Sequence, residues 1–213
     1  MTHYTSWQYG EYTTNAAGVL HCISETEPSG TIGPTDPDVT LSVDADGVVT
    51  ISSVSNPGDL ATYRGFLSAD KKTIVGTYTE HSNYKLMVIQ ITGQAYTAGP
   101  VPDHISAVHV LAAGTTAPAP FWAHGIQTIS GGLGAISTSD WVPSNPAITA
   151  PAEQHVQLSA SGTVTVTEEP SYHGQVSHDG TFSVGTLTAC YATPCGYGYL
   201  LTVHTIKTPW ASP

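Results

Sequence analysis

Residues 63–79 align without a gap on residues 172–188, and this internal match constrains the fold more than any other feature of the chain. Eight of the seventeen positions are identical: Tyr63/Tyr172, Gly65/Gly174, Ser68/Ser177, Asp70/Asp179, Val75/Val184, Gly76/Gly185, Thr77/Thr186 and Thr79/Thr188. The match continues outward in both directions. Residues 41–43 and 47–51 pair with 158–160 and 162–166, residues 84–88 with 199–203, and Trp7–Gly10 with Trp122–Gly125. Chance similarity between turn-rich sequences would not extend this way, so the pattern predicts two pseudo-symmetric copies of one module of about 100 residues. The expected copies are residues 1–98 and 99–213. Their seam is placed within 95–119, where Gly99, Pro100, Pro102, Pro118 and Pro120 supply loop composition.

Within each copy, alternation and turn residues predict short strands. Residues 39–43 and 48–52 roughly alternate apolar and polar side chains about Asp44-Ala-Asp-Gly47, which reads as a hairpin turn. The aligned segments predict a second hairpin with its turn at Ser68–Asp70 and Ser177–Gly180, and residues 84–91 and 199–206 predict closing strands. No segment sustains a capped 3.6-residue period. The expected fold is therefore an all-β antiparallel meander. Two barrels, one joint barrel or sandwich, and propeller-like blades all remain compatible with it.

Charge limits the partners. Five Lys plus Arg stand against sixteen Asp plus Glu, for a formal charge of −11, so no basic stripe is present to neutralise a phosphate backbone. Nucleic acid is not an expected partner, and the absence of a long apolar run argues against membrane insertion. The first residues lack the basic and apolar regions of a secretory signal, and Met1 reads as a start replacing a removed leader. Cys190 and Cys195 are close enough in sequence to bridge a loop, which predicts a disulfide and an extracellular or periplasmic setting. Cys22 is expected to be a buried free thiol.

Histidine is the compositional anomaly, with ten residues, twice the number of Lys and Arg together. No His-x-His pair occurs, the spacing that would place two rings on one strand face. The histidines also do not recur between copies: Arg64 stands opposite His173, Ala69 opposite His178, and Tyr9 opposite His124. A residue needed for folding should recur, whereas a site can be confined to one copy. If a site exists, it is therefore expected in the second copy, built from His173, His178 and His124, with His109 next, and holding a divalent transition metal such as zinc. Along residues 172–177, Tyr172, Gly174 and Val176 are expected to face the core, with His173 pointing away from it and lining any pocket.

Other candidates are weaker. Asp44 and Asp46 resemble the opening of a calcium loop, but the twelfth position is Ser55. Glu168 and Glu169 are adjacent, so on a strand they face opposite ways and read as a solvated strand end. Trp7 and Trp122 recur and are expected in the core, while Trp141 and Trp210 are the candidates for exposure. No G-x-S-x-G elbow, P-loop or H-E-x-x-H is present. The leading expectation is an extracellular or cell-surface protein without catalytic activity that binds a small molecule or glycan, or self-assembles. The alternative is a metal-dependent hydrolase using the histidines of the second copy.

Overall fold

A computed structural model of the chain describes residues 7–28, 30–31, 38–55, 60–80, 83–91, 95–113, 121–190 and 197–206. These residues divide into two compact units, Met1–Ile91 and Thr92–Pro213. All of their regular elements are β-strands, and every strand pairing is antiparallel, as the alternation predicted.

The first unit contains β1 (Tyr9–Thr14), β2 (Val19–Glu27), β3 (Gly30–Thr31), β4 (Val39–Val43), β5 (Val48–Ser53), β6 (Arg64–Leu67), β7 (Thr73–Glu80) and β8 (Asn83–Gln90). They form a half-barrel sheet in the order β1-β2-β4-β5-β6-β7-β8, with β3 paired to β2. The hairpin turn expected at residues 44–47 is present. Asp44 Oδ1 accepts bonds from the Asp46 and Val48 amides, and Gly47 adopts the positive φ of 78° that the turn requires. Val49, Ile51, Tyr63 and Ile74 form the core of this unit. Cys22 is a buried free thiol, as expected.

The second unit contains β9 (Gly99–Pro100), β10 (His104–Ala113), β11 (Phe121–Ser130), β12 (Leu133–Ile136), β13 (Val142–Pro143), β14 (Gln154–Leu158), β15 (Thr163–Val166), β16 (Glu169–Val176), β17 (Phe182–Cys190) and β18 (Tyr197–Ile206). Its main path runs β10-β18-β17-β16-β15-β14-β12-β11, and β10 pairs with β11 to close it. The result is an eight-strand barrel. Burial on β11 alternates strictly, odd residues from Phe121 to Ile129 facing inward, as a strand with one face on a core requires.

The segment expected to hold the seam contains β9 and the ten-residue β10. Prolines flank β10 in the sequence, but β10 itself alternates. His104, Ser106, Val108, Val110 and Ala112 are buried, whereas Ile105, His109 and Leu111 are exposed.

The two aligned segments form hairpins of the same register. Gly65 faces Gly76 across β6 and β7, and Gly174 faces Gly185 across β16 and β17. Each glycine pair lies under a tyrosine ring. A Cβ on Gly65 would fall 2.6 Å from the Tyr63 hydroxyl, and one on Gly174 would fall 2.8 Å from that of Tyr172. No side chain fits beneath the ring, which gives the Tyr-x-Gly…Gly identities a packing reason. The hydroxyls differ in their surroundings. Tyr172 lies 3.4 Å from Thr202 Oγ1, whereas the Tyr63 hydroxyl is buried without a hydrogen-bond partner among the described residues. Register explains the difference: Gly185 faces Thr202, but Gly76 faces Met87, which has no hydroxyl to offer. Burial, then the neighbouring Tyr78, pushes Tyr63 up to about 12.

Candidate functional site

The interior of the barrel holds a cavity of about 240 Å³. Most of its wall is apolar because inward positions on β14, β15 and β17 carry Val156, Val164, Val166 and Leu187, joined by Val110 and Phe121 from β10 and β11. A side of different chemistry is built by β10, β11, β17 and β18. There His104, Gln127, Ser183, Thr202 and His204 face the same space.

Strand register makes these polar residues neighbours. Ser183 is paired with His204 across β17 and β18, and His204 with Val108 across β18 and β10. One step along the barrel, Ser106 pairs with Gln127 on one side and Ile206 on the other. His104, which precedes Ser106 on the same face, is buried, with Nδ1 2.8 Å from the Pro102 carbonyl oxygen. With a carbonyl as partner, that nitrogen carries the proton of the neutral ring.

Both imidazoles are held neutral. Burial, followed by the adjacent His104 ring, pushes His204 down to about 4. His204 keeps partial accessibility because it borders the cavity, but protein surrounds it closely enough to disfavour charge. Burial also lowers His104, against the opposing pull of the Pro102 carbonyl and Asp103. Toward the other end of β16, Glu169 lines the cavity, and burial followed by the Glu168 carboxylate raises its carboxyl above the ordinary range. Glu168 is exposed and bonded to His155 Nδ1 at 2.5 Å. The expectation that both glutamates are a solvated strand end therefore holds for Glu168 alone: the β15–β16 register shifts between Val164 and Val166, and past that irregularity Glu169 lines the cavity although its parity on β16 is that of His173.

The histidines singled out from the sequence lie elsewhere. His173 sits on the outward side of β16, between buried Tyr172 and Gly174, and His178 sits in the turn after it. His109 and His124 are both exposed on the outer face of the barrel. None of the four lines the cavity, which lies on the face of β16 opposite His173. The structure does bring two of them together. His109 and His124 are direct partners across β10 and β11, with ring centroids 6.0 Å apart, and the Trp122 ring stacks on His124. Among the described residues, no group of three or more His, Cys, Asp or Glu is arranged to hold a metal ion.

Two tryptophan assignments reverse. Trp122 is 49% exposed, because it falls on the outward parity of β11, while Trp141 packs against the barrel core and donates Nε1–H to the Ile148 carbonyl at 3.1 Å. Trp210, Cys195 and the Cys190 side chain, and with them the expected bridge, lie outside the described residues. Sequence reasoning missed His104, His204 and Gln127 as site residues. On β18 the available signal was weak: Leu201 and Val203 are as apolar as the inward set Thr202, His204 and Ile206, so alternation does not name the inner face.

In comparison with known proteins, no family model matches the chain, and no curated protein or solved structure matches it significantly.

Proposed function

We propose that the second unit is a binding barrel that encloses a small, largely apolar molecule, and that the protein acts by binding in an extracellular or periplasmic setting. The observation that carries this reading is the closed barrel with an interior cavity of about 240 Å³, walled by branched apolar side chains. Dry apolar cavities of about 150 Å³ are large enough to take up benzene, so this volume suits a substituted single ring. Small barrels hold ligands in this way, with apolar walls and a few polar groups that fix orientation. Two copies of one ancestral module would account for the shared hairpin register, with binding confined to the copy that closes. Titration with toluene, followed by methyl NMR, should give saturable shifts at Val108, Val110, Val156, Val164 and Leu187. Shifts that never saturate, or that spread over both units, would remove the reading.

The His109–His124 pair favours a second, narrower reading as a zinc-binding site on the outer face. Two imidazoles can share one ion at Zn–N distances of about 2.0–2.1 Å if the 6.0 Å centroid separation closes slightly. Catalytic zinc usually has three protein ligands, so the pair supports metal binding more than hydrolysis. Zinc uptake unchanged by His109→Gln would eliminate it.

A further inference from the structure

Three side chains on the polar side of the cavity lack hydrogen-bond partners among the described residues: the imidazole of His204, the amide of Gln127 and the hydroxyl of Ser183. Gln127 is 5% exposed and Ser183 6%, and the space their polar groups face is the cavity. Buried polar groups are almost always paired, and leaving one unpaired costs about 1–3 kcal/mol. Three such groups facing one cavity make it a place where an occupant supplies their partners.

The chemistry of that occupant follows from what each group offers. A neutral imidazole presents one donor and one acceptor, an amide presents both, and a hydroxyl presents both. Their complement must therefore donate and accept at one point, and an uncharged hydroxyl is the smallest group that does so. An anion is disfavoured. No Lys or Arg lines the cavity, and Glu169 shares it. Nor do the histidines supply positive charge, since burial holds His204 near 4 and lowers His104. A carboxylate ligand would enter a low-dielectric space without a counter-ion.

We propose that the barrel selects small neutral alcohols of the phenol class, with the apolar ring against Val156, Val164 and Leu187 and the hydroxyl bonded to His204 and Gln127. This rests on the reading of the barrel as a binding cavity and adds the class of ligand. Three probes share one body and differ in the head: p-cresol, toluene and p-toluate, each titrated calorimetrically into the full chain at pH 7.5. Cresol should bind about tenfold more tightly than toluene, as one or two net hydrogen bonds allow, and toluate at least about tenfold more weakly than cresol. His204→Phe and Gln127→Leu should each weaken cresol about five- to tenfold while leaving toluene within about twofold, which also shows that the variant barrel is folded. Equal affinity for cresol and toluene, or preference for toluate, would overturn the ligand class while leaving the cavity reading standing. If none of the three binds, both fall together. Cresol affinity unchanged in both variants would likewise overturn the assignment of the hydroxyl to these residues.

Discussion

The two units share one hairpin register and differ in closure. In the second, β10 bridges β11 and β18, and β11 buries every other side chain. In the first unit no strand joins β1 to β8 among the described residues, and β1 is exposed along almost its whole length. In the second unit it is the ten-residue β10, paired on both sides, that closes the sheet into a barrel with an interior. An apolar inward stripe defines a concave face, but only closure removes that face from water on all sides and makes the few polar groups on it costly enough to select a partner.

The largest expected effect comes from breaking the closure. Val108 is paired to Gly125 on one side and to His204 on the other, so Val108→Pro removes an amide from a central strand and leaves a facing carbonyl unpaired. The second unit should lose about 4 kcal/mol or more, judged from the cost of proline in regular structure plus orphaned partners. Amide exchange should accelerate across β10, β11 and β18 and stay unchanged in β4 to β7. Unchanged protection in β18 would show that closure does not depend on β10.

A second effect follows from the buried histidines. The folded value of His204, about 4, lies below the ordinary 6.5, so the unfolded chain takes up the proton first on acidification. The stability this contributes is complete above about 6.5 and is lost as the pH falls toward 4, on the order of 2–3 kcal/mol from this residue. His104 shifts in the same direction. Unfolding free energies of the second unit from urea titrations at pH 7 and 4.5 should differ by that amount, and His204→Gln should shrink the difference. A difference of the same size in the variant would place the titration elsewhere.

The smallest effect sharpens the comparison within the shared hairpin. Tyr172→Phe removes the hydroxyl near Thr202 and should cost about 1 kcal/mol. Tyr63→Phe removes a buried hydroxyl that has no partner among the described residues, so it should be neutral or stabilising by up to about 1 kcal/mol. Thermal melts of the two variants would show it. Equal losses would mean that the Tyr63 hydroxyl has a partner after all, and that Met87 in place of Thr202 makes no energetic difference.

Much of the secondary structure was legible in the sequence, because strands and tight turns are local. Val39–Val43 and Val48–Ser53 follow from alternation about Asp44 and Gly47, and the facing of Gly174 and Gly185 follows from fixed offsets around one turn. The same period of two correctly put Tyr172 and Val176 in the core. What the sequence did not determine was which strands meet after long separations. Ser106 pairs with Ile206, and no local pattern in either strand specifies that partner. Closure through that pairing decided that β10 is a wall and not a linker, that Trp141 packs inward and Trp122 outward, and that the histidines enclosed with Gln127 are His104 and His204. His173, His178 and His124 differ from the residues they align with, and a surface free of packing varies in the same way. Pairing across a hundred residues is set by the summed burial of a whole interior, so the chemistry of the cavity exists only once the barrel has closed.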